Sequence, residues 1–135
     1  DVHIVFPVHL NPNVSGPVQA ALGDMPNVSL IKPAQYPAFI RLMELSYIVV
    51  TDSGGVQEEA PSFGKPVLVT RDVTERMEAV DAGTVKLVGT DKTKIVQNIE
   101  TLLDDNEAYA KMSCAQNPYG DGKATSRIIE FLSLK

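Results

Sequence analysis

Short apolar runs recur along this chain, each followed by a longer stretch of mixed polarity, and that alternation limits the fold more than any other feature. The runs are Val2–Val8, Val28–Ile31, Tyr47–Thr51, Val67–Thr70 and Thr84–Val88. Most are β-branched and nearly continuous, the pattern of strands covered on both faces of a parallel sheet. The stretches between them predict helices. One runs from about Ser15 to Gly23, after a break at Asn11-Pro12-Asn13 and with Pro17 near its start. A second follows the Pro33–Pro37 turn and carries Phe39, Leu42, Met43 and Leu45. A third spans about Gly55 to Phe63, with Gly64 as its C′ residue, and Thr74 to Ala82 is a short helix or turn. After the last strand, Thr90 or Asp91 caps a helix with Ile95, Ile99, Leu102 and Leu103 on one face. Residues 107–116 continue helically, Asn117–Gly122 is a loop, and Ala124–Leu134 is a terminal helix. Strands alternating with helices specify the α/β class, a parallel sheet joined by right-handed crossovers. Ligands of such sheets sit at the carboxyl ends of the strands.

Two loops fall at that edge. The Tyr47–Thr51 strand runs into Asp52-Ser53-Gly54-Gly55 and then a helix; the Val67–Thr70 strand runs into Arg71-Asp72-Val73-Thr74-Glu75-Arg76. The first backbone N–H groups of a helix lack internal partners and carry positive potential, so Ser53, Gly54 and Gly55 form an anion cradle. Neither glycine has a Cβ to keep a phosphate from the main chain. Glu59 lies about one turn into the helix, and helical side chains tilt toward the N-terminus. A carboxylate there suits a neutral diol beside the phosphate, such as a ribose. Glu58 points about 100° away and reads as structural. Arg71 and Arg76 offer countercharge, Arg71 more readily as an ion-pair or packing residue. A plainer reading stays open, in which Ser53 is an ordinary N-cap and the glutamates merely complement the helix dipole.

At 135 residues the chain is long enough for one domain with a real core. Net charge is −5 with no cluster of lysine or arginine, which argues against duplex nucleic acid as partner but leaves a nucleotide open. No apolar run is long enough to span a bilayer, and the N-terminus lacks the basic and apolar regions of a signal peptide. Cys114 is alone, so no internal disulfide forms, and a cytoplasmic setting fits. Two histidines and one cysteine make no zinc pattern, so no metal or cofactor is expected.

The run Thr51-Asp52-Ser53-Gly54-Gly55-Val56-Gln57-Glu58-Glu59-Ala60-Pro61-Ser62-Phe63-Gly64-Lys65-Pro66-Val67-Leu68-Val69, with Arg71-Asp72-Val73-Thr74-Glu75-Arg76 after it, resembles the non-hydrolysing UDP-N-acetylglucosamine 2-epimerases. Phe6-Pro7-Val8-His9-Leu10-Asn11-Pro12, Ala82–Thr90 and Asn117-Pro118-Tyr119-Gly120-Asp121-Gly122 match the same family in order. The resemblance implies a Rossmann-like parallel sheet flanked by helices, the C-terminal half of a GT-B fold. Residues 1–135 would then be one UDP-binding domain, cut at its N-terminal edge, with the N-terminal domain absent. It also implies a soluble cytoplasmic parent, homodimeric at full length, interconverting UDP-N-acetylglucosamine and UDP-N-acetylmannosamine for cell-surface polysaccharide synthesis.

The resemblance assigns Ser53, Gly54 and Gly55 to the UDP phosphates, Glu59 to the ribose hydroxyls and Arg76 to the nucleotide site. It sets Phe39 beside the uracil, where a core role stands as the alternative. The family often has a glutamine where this chain has Ala34, and Met77 replaces a common proline. His9 ends the first strand; it is either structural or, as in some bacterial members, part of a second, regulatory UDP-N-acetylglucosamine site. The family reaction eliminates UDP to leave 2-acetamidoglucal and adds it back with C2 inverted. That chemistry uses acidic residues of the N-terminal domain and a histidine in a His-Arg-x-Glu-Asn-like segment, neither of which this sequence contains. No catalytic residue is therefore assigned, and this chain alone is expected to be inactive. Two other readings are the donor domain of a GT-B glycosyltransferase and a non-catalytic UDP-sugar sensor.

Overall fold

The computed structural model describes residues 2–133. Leu134, the predicted end of the last helix, lies outside the described residues. The elements run β1 (Ile4–Pro7), α1 (Pro12–Leu22), β2 (Val28–Ile31), α2 (Tyr36–Leu45), β3 (Val49–Thr51) and α3 (Gly54–Glu59). A 3-10 turn follows at Ala60–Phe63, then β4 (Val67–Val69), α4 (Met77–Ala82), β5 (Val85–Leu87), α5 (Lys92–Asp104), α6 (Asn106–Ser113) and α7 (Ala124–Ser133). The chain is α/β throughout, and its described strands pair in parallel in two groups, β1 with β2 and β3-β4-β5, where the sequence suggested one sheet. It divides into two compact units, the residues up to Leu42 and those from Met43 onward. No helix among the described residues is long and apolar enough to cross a membrane.

In the first unit β1 lies beside β2 with Ile4 opposite Val28 and Pro7 opposite Ile31. Helix α1 begins three residues before the expected Ser15. Asn11 is its N-cap, accepting the Asn13 N–H at 3.0 Å, and Pro12 opens the helix. The Asn-Pro-Asn stretch is therefore a helix start, because proline's fixed φ and missing N–H suit the first helical position.

In the second unit β4 is the middle strand, with Val49, Val67 and Val85 in register. Val67, Leu68 and Val69 are all fully buried. Leu68, Val88 and Leu102 form the core, flanked by Ile48, Ile95, Ile99 and Met112. The predicted Gly55–Phe63 helix is α-helical only to Glu59. Pro61 has no N–H to continue the ladder, and the chain tightens into the 3-10 turn. Gly64 then stops it at φ +63°, the left-handed conformation a C′ glycine adopts without a Cβ penalty. Helix α5 is capped by Asp91, whose Oδ1 accepts the Lys94 N–H at 2.8 Å, and α6 by Asp105, whose Oδ1 accepts from the N–H groups of Glu107 and Ala108. Tyr109 stacks on Tyr47 with ring centroids 4.1 Å apart, and its hydroxyl donates to the Tyr47 carbonyl.

Candidate functional site

Thr51 and Val69 are register partners at the carboxyl ends of β3 and β4, so the loops that follow them start side by side. The Thr70 N–H donates to the Thr51 carbonyl at 2.9 Å and extends that pairing by one residue. One of these loops carries Ser53, Gly54 and Gly55; the other carries Arg71, Glu75 and Arg76. The second unit therefore brings together the candidate residues that the sequence placed on one sheet edge.

Ser53 is the N-cap of α3 by backbone conformation, yet its side chain makes no capping bond. Its own N–H donates to Thr51 Oγ1 at 3.0 Å. The hydroxyl and the first N–H groups of α3 are thus not consumed by each other, which weakens the plain N-cap reading. The two glycines serve different ends. A Cβ on Gly55 would find nothing nearer than Ser53 Oγ at 4.0 Å, leaving its main chain open to approach. A Cβ on Gly54 would lie 2.7 Å from both Cζ and Nη1 of Arg76 and 3.0 Å from Nη2. Gly54 is small because the Arg76 guanidinium lies across it, a reason the sequence did not offer.

Arg76 is gripped by two carboxylates. Its Nε donates to Glu58 Oε1 at 2.6 Å, and Nη1 donates to Glu75 Oε1. The hydrogen bond Arg76 donates to Glu58, with the carboxylates of Glu58 and Glu75 beside it, raises the guanidinium pKa above its ordinary value. Glu75 is held below the ordinary carboxylate range, first by a backbone N–H and then by Arg76 and Arg71. Arg71 makes an ion pair with Glu75 at 3.8 Å, as its structural reading anticipated. Nη2 of Arg76 has no hydrogen-bond partner among the described residues. The carboxylate of Glu59, half-buried one position after Glu58, likewise has no hydrogen bond or ion pair among them. Two neighbouring glutamates therefore differ: Glu58 is tied to a cation and Glu59 keeps its carboxylate unengaged.

A buried polar chain links the two loops. Gln57 is fully buried. Its Nε2 donates to the Ser53 carbonyl at 3.3 Å, and its Oε1 accepts from the Thr74 hydroxyl at 2.8 Å. Thr74 Oγ1 in turn accepts the Arg76 N–H at 3.2 Å. Satisfied at both ends, Gln57 sets the separation of the Ser-Gly-Gly turn and the arginine. The Asn117–Gly122 loop, which reads only as a turn in sequence, also reaches the site. Asn117 Nδ2 donates to the Glu58 carbonyl and to Ser62 Oγ, and the Tyr119 hydroxyl donates to the Arg76 carbonyl at 3.4 Å. Burial raises the Tyr119 pKa.

Phe39 and His9 lie in the first unit. Phe39 is half-buried on α2, and its N–H donates to the Gln35 carbonyl. His9 is exposed two residues beyond β1, where its Nδ1 accepts the Asn11 N–H at 3.1 Å. It borders an open cavity of about 220 Å³ within that unit, together with Ser15, Gln19 and Lys32. Among the described residues no group of His, Cys, Asp and Glu is arranged to hold a metal ion.

A family model described as UDP-N-acetylglucosamine 2-epimerase matches residues 1–133. The chain is 61% identical over 132 residues to the UDP-N-acetylglucosamine 2-epimerase of Escherichia coli K12, covering 98% of this chain and 35% of that protein. Against the Campylobacter jejuni UDP-N-acetylglucosamine 2-epimerase it is 57% identical, covering 98% of this chain and 34% of that protein. The crystal structure of the Neisseria meningitidis UDP-GlcNAc 2-epimerase bound to UDP-GlcNAc superposes with a TM-score of 0.92 at 52% identity, over 98% of this chain and 36% of the other. The chain thus spans about a third of the length of these relatives.

Proposed function

This chain belongs to the UDP-N-acetylglucosamine 2-epimerase family, and we propose that it forms the nucleotide-holding part of a longer enzyme that interconverts UDP-N-acetylglucosamine and UDP-N-acetylmannosamine. The observation that carries the reading is the arrangement at α3: Arg76 across Gly54 with Nη2 unengaged, Gly55 open, and Glu59 unpaired. That set offers cationic and backbone donors to a diphosphate and a carboxylate acceptor to a sugar diol. In this reading Ser53, Gly54 and Gly55 hold the phosphates, Arg76 balances their charge and Glu59 accepts from both ribose hydroxyls.

The reaction removes the C2 proton and breaks the bond from C1 to the UDP oxygen, leaving 2-acetamidoglucal and UDP. Protonation of C2 from the other face and re-addition of UDP at C1 complete the inversion. Negative charge grows on the departing phosphate, and a guanidinium already in place stabilises it without reorganising. The same groups keep UDP bound for the return step. The groups that move the C2 proton would come from the rest of the longer protein. On the family resemblance, that protein is a cytoplasmic homodimer supplying UDP-N-acetylmannosamine for cell-surface polysaccharide. His9, beside the cavity of the first unit, is proposed as part of a second, regulatory UDP-N-acetylglucosamine site.

Two measurements test this. The full-length protein with UDP-N-acetylglucosamine alone should yield UDP-N-acetylmannosamine by proton NMR. Failure to do so without an acceptor contradicts the epimerase reading. Glu59→Gln should weaken UDP binding about tenfold, since charge-assisted bonds are each worth roughly 1.5–3 kcal/mol and the amide keeps one acceptor. Were Glu59 there only for the helix dipole, losing its charge would slightly favour an anionic ligand. The sign of the affinity change by calorimetry decides between them.

A further inference from the structure

We infer that Glu58 is a positioning residue for the nucleotide, acting through Arg76; the inference rests on the UDP-binding reading above. Arginine has many rotamers, and an unrestrained one would lose much of its freedom on meeting a phosphate. Here the guanidinium is fixed before any ligand arrives. Glu58 takes Nε at 2.6 Å and Gly54 supplies a surface without a Cβ for the plane to lie on. The Glu58 main chain is tethered in turn, its carbonyl accepting from Asn117 Nδ2 at 3.3 Å. The Arg76 main chain is held at its N–H by Thr74 and at its carbonyl by Tyr119. What stays unengaged is Nη2.

Glu75 also meets the guanidinium, but differently. Its side chain is 65% exposed against 42% for Glu58, and it binds Nη1 while also facing Arg71. It is an exposed carboxylate on a terminal nitrogen, where a phosphate oxygen would compete with it. The two glutamates therefore have opposite effects on an anionic ligand. Glu58 orients the cation and favours binding, whereas Glu75 occupies it and opposes binding.

The sign of the change upon neutralisation separates this from bulk electrostatics. Removing any carboxylate near a diphosphate should help the ligand through simple repulsion. Glu58→Gln should instead weaken UDP binding by the full-length protein, about fivefold to tenfold by calorimetry. Affinity for uridine, which has no phosphates, should stay within about twofold. Glu75→Gln should leave UDP binding equal or tighter. In an Arg76→Ala background Glu58→Gln should have no further effect, because its action runs through the arginine.

If Glu58→Gln does not fold, Glu58→Asp replaces it; the charge stays but the reach shortens, and UDP affinity should still fall while uridine affinity does not. Equal or tighter UDP binding by the Glu58 variant overturns the inference, as does a parallel loss for uridine or a full effect without Arg76. If the parent binds UDP and the Glu58 variants bind it equally well, only this inference fails. If the parent does not bind UDP at all, the functional reading fails and takes this one with it.

Discussion

Strands β1 and β4 are alike in sequence and unlike in surroundings. Ile4-Val5-Phe6 and Val67-Leu68-Val69 are both unbroken apolar triplets, and both belong to parallel pairings. In the second unit the triplet is entirely buried, between neighbouring strands and under α5 residues such as Leu102. In the first unit Ile4, Val5 and Phe6 are 48%, 45% and 36% exposed, and α1 has no buried residue. An apolar run declares a strand's type, but the layers packed over it decide its burial. The nucleotide-site candidates Ser53 to Glu59 and Arg76 belong to the well-packed unit, where a rigid support holds a charged side chain in place.

Stability measurements on this chain should widen or close that gap. The largest effect is expected for Leu68→Ala, which empties the middle of the core and should cost about 2–5 kcal/mol in urea unfolding. Gln57→Leu comes next. It breaks the link from the Ser53 carbonyl to Thr74 and leaves the Thr74 hydroxyl without its acceptor, for about 1–3 kcal/mol. Val5→Ala should cost less than about 1 kcal/mol, since its side chain is already half in water. A Val5→Ala cost equal to that of Leu68→Ala would mean that β1 is covered in solution, and the contrast would collapse. A larger cost in the full-length protein than in this chain would show that another part of the protein supplies the cover.

The smallest expected effect concerns Asp121, whose two oxygens accept from Nη1 and Nη2 of Arg127 at 2.8 Å each. Those bonds and the Lys123 N–H lower its pKa. A depressed folded-state pKa adds stability above the ordinary carboxylate pKa, and that stability is lost as pH falls through the lowered value. Both partners are exposed, so the gain is slight. NMR titration should find Asp121 protonating below the usual aspartate range, and Arg127→Ala should bring it back up.

Much of this architecture was legible because it rests on local rules. Gly64 stops a helix at positive φ, Asp91 caps one, and a β-branched run with no alternation becomes the buried middle strand. What was not legible depends on approach in space. Gly54 looks like a phosphate-binding glycine, yet its missing Cβ makes room for an arginine that follows in the loop after the next strand. Glu58 was set aside as pointing away from the ligand; it does point elsewhere, and what it meets is Arg76. Gln57 carries no signal in the sequence of its role, because Thr74, which closes on its Oε1, lies in another loop. The spacing of α3 was readable, and the partners of each side chain were not, because they come from loops distant in sequence. Pro61 shortens the helix although the apolar pattern runs on to Phe63.

The measurement closest to the central claim is amide hydrogen exchange of the full-length protein with and without UDP. The account predicts added protection at Gly54 to Glu59 and at Arg76, because a diphosphate would bond the first N–H groups of α3 and hold the arginine loop. Binding of UDP with no change over those residues, and with protection instead confined to residues 8–32 around the cavity of the first unit, would contradict it.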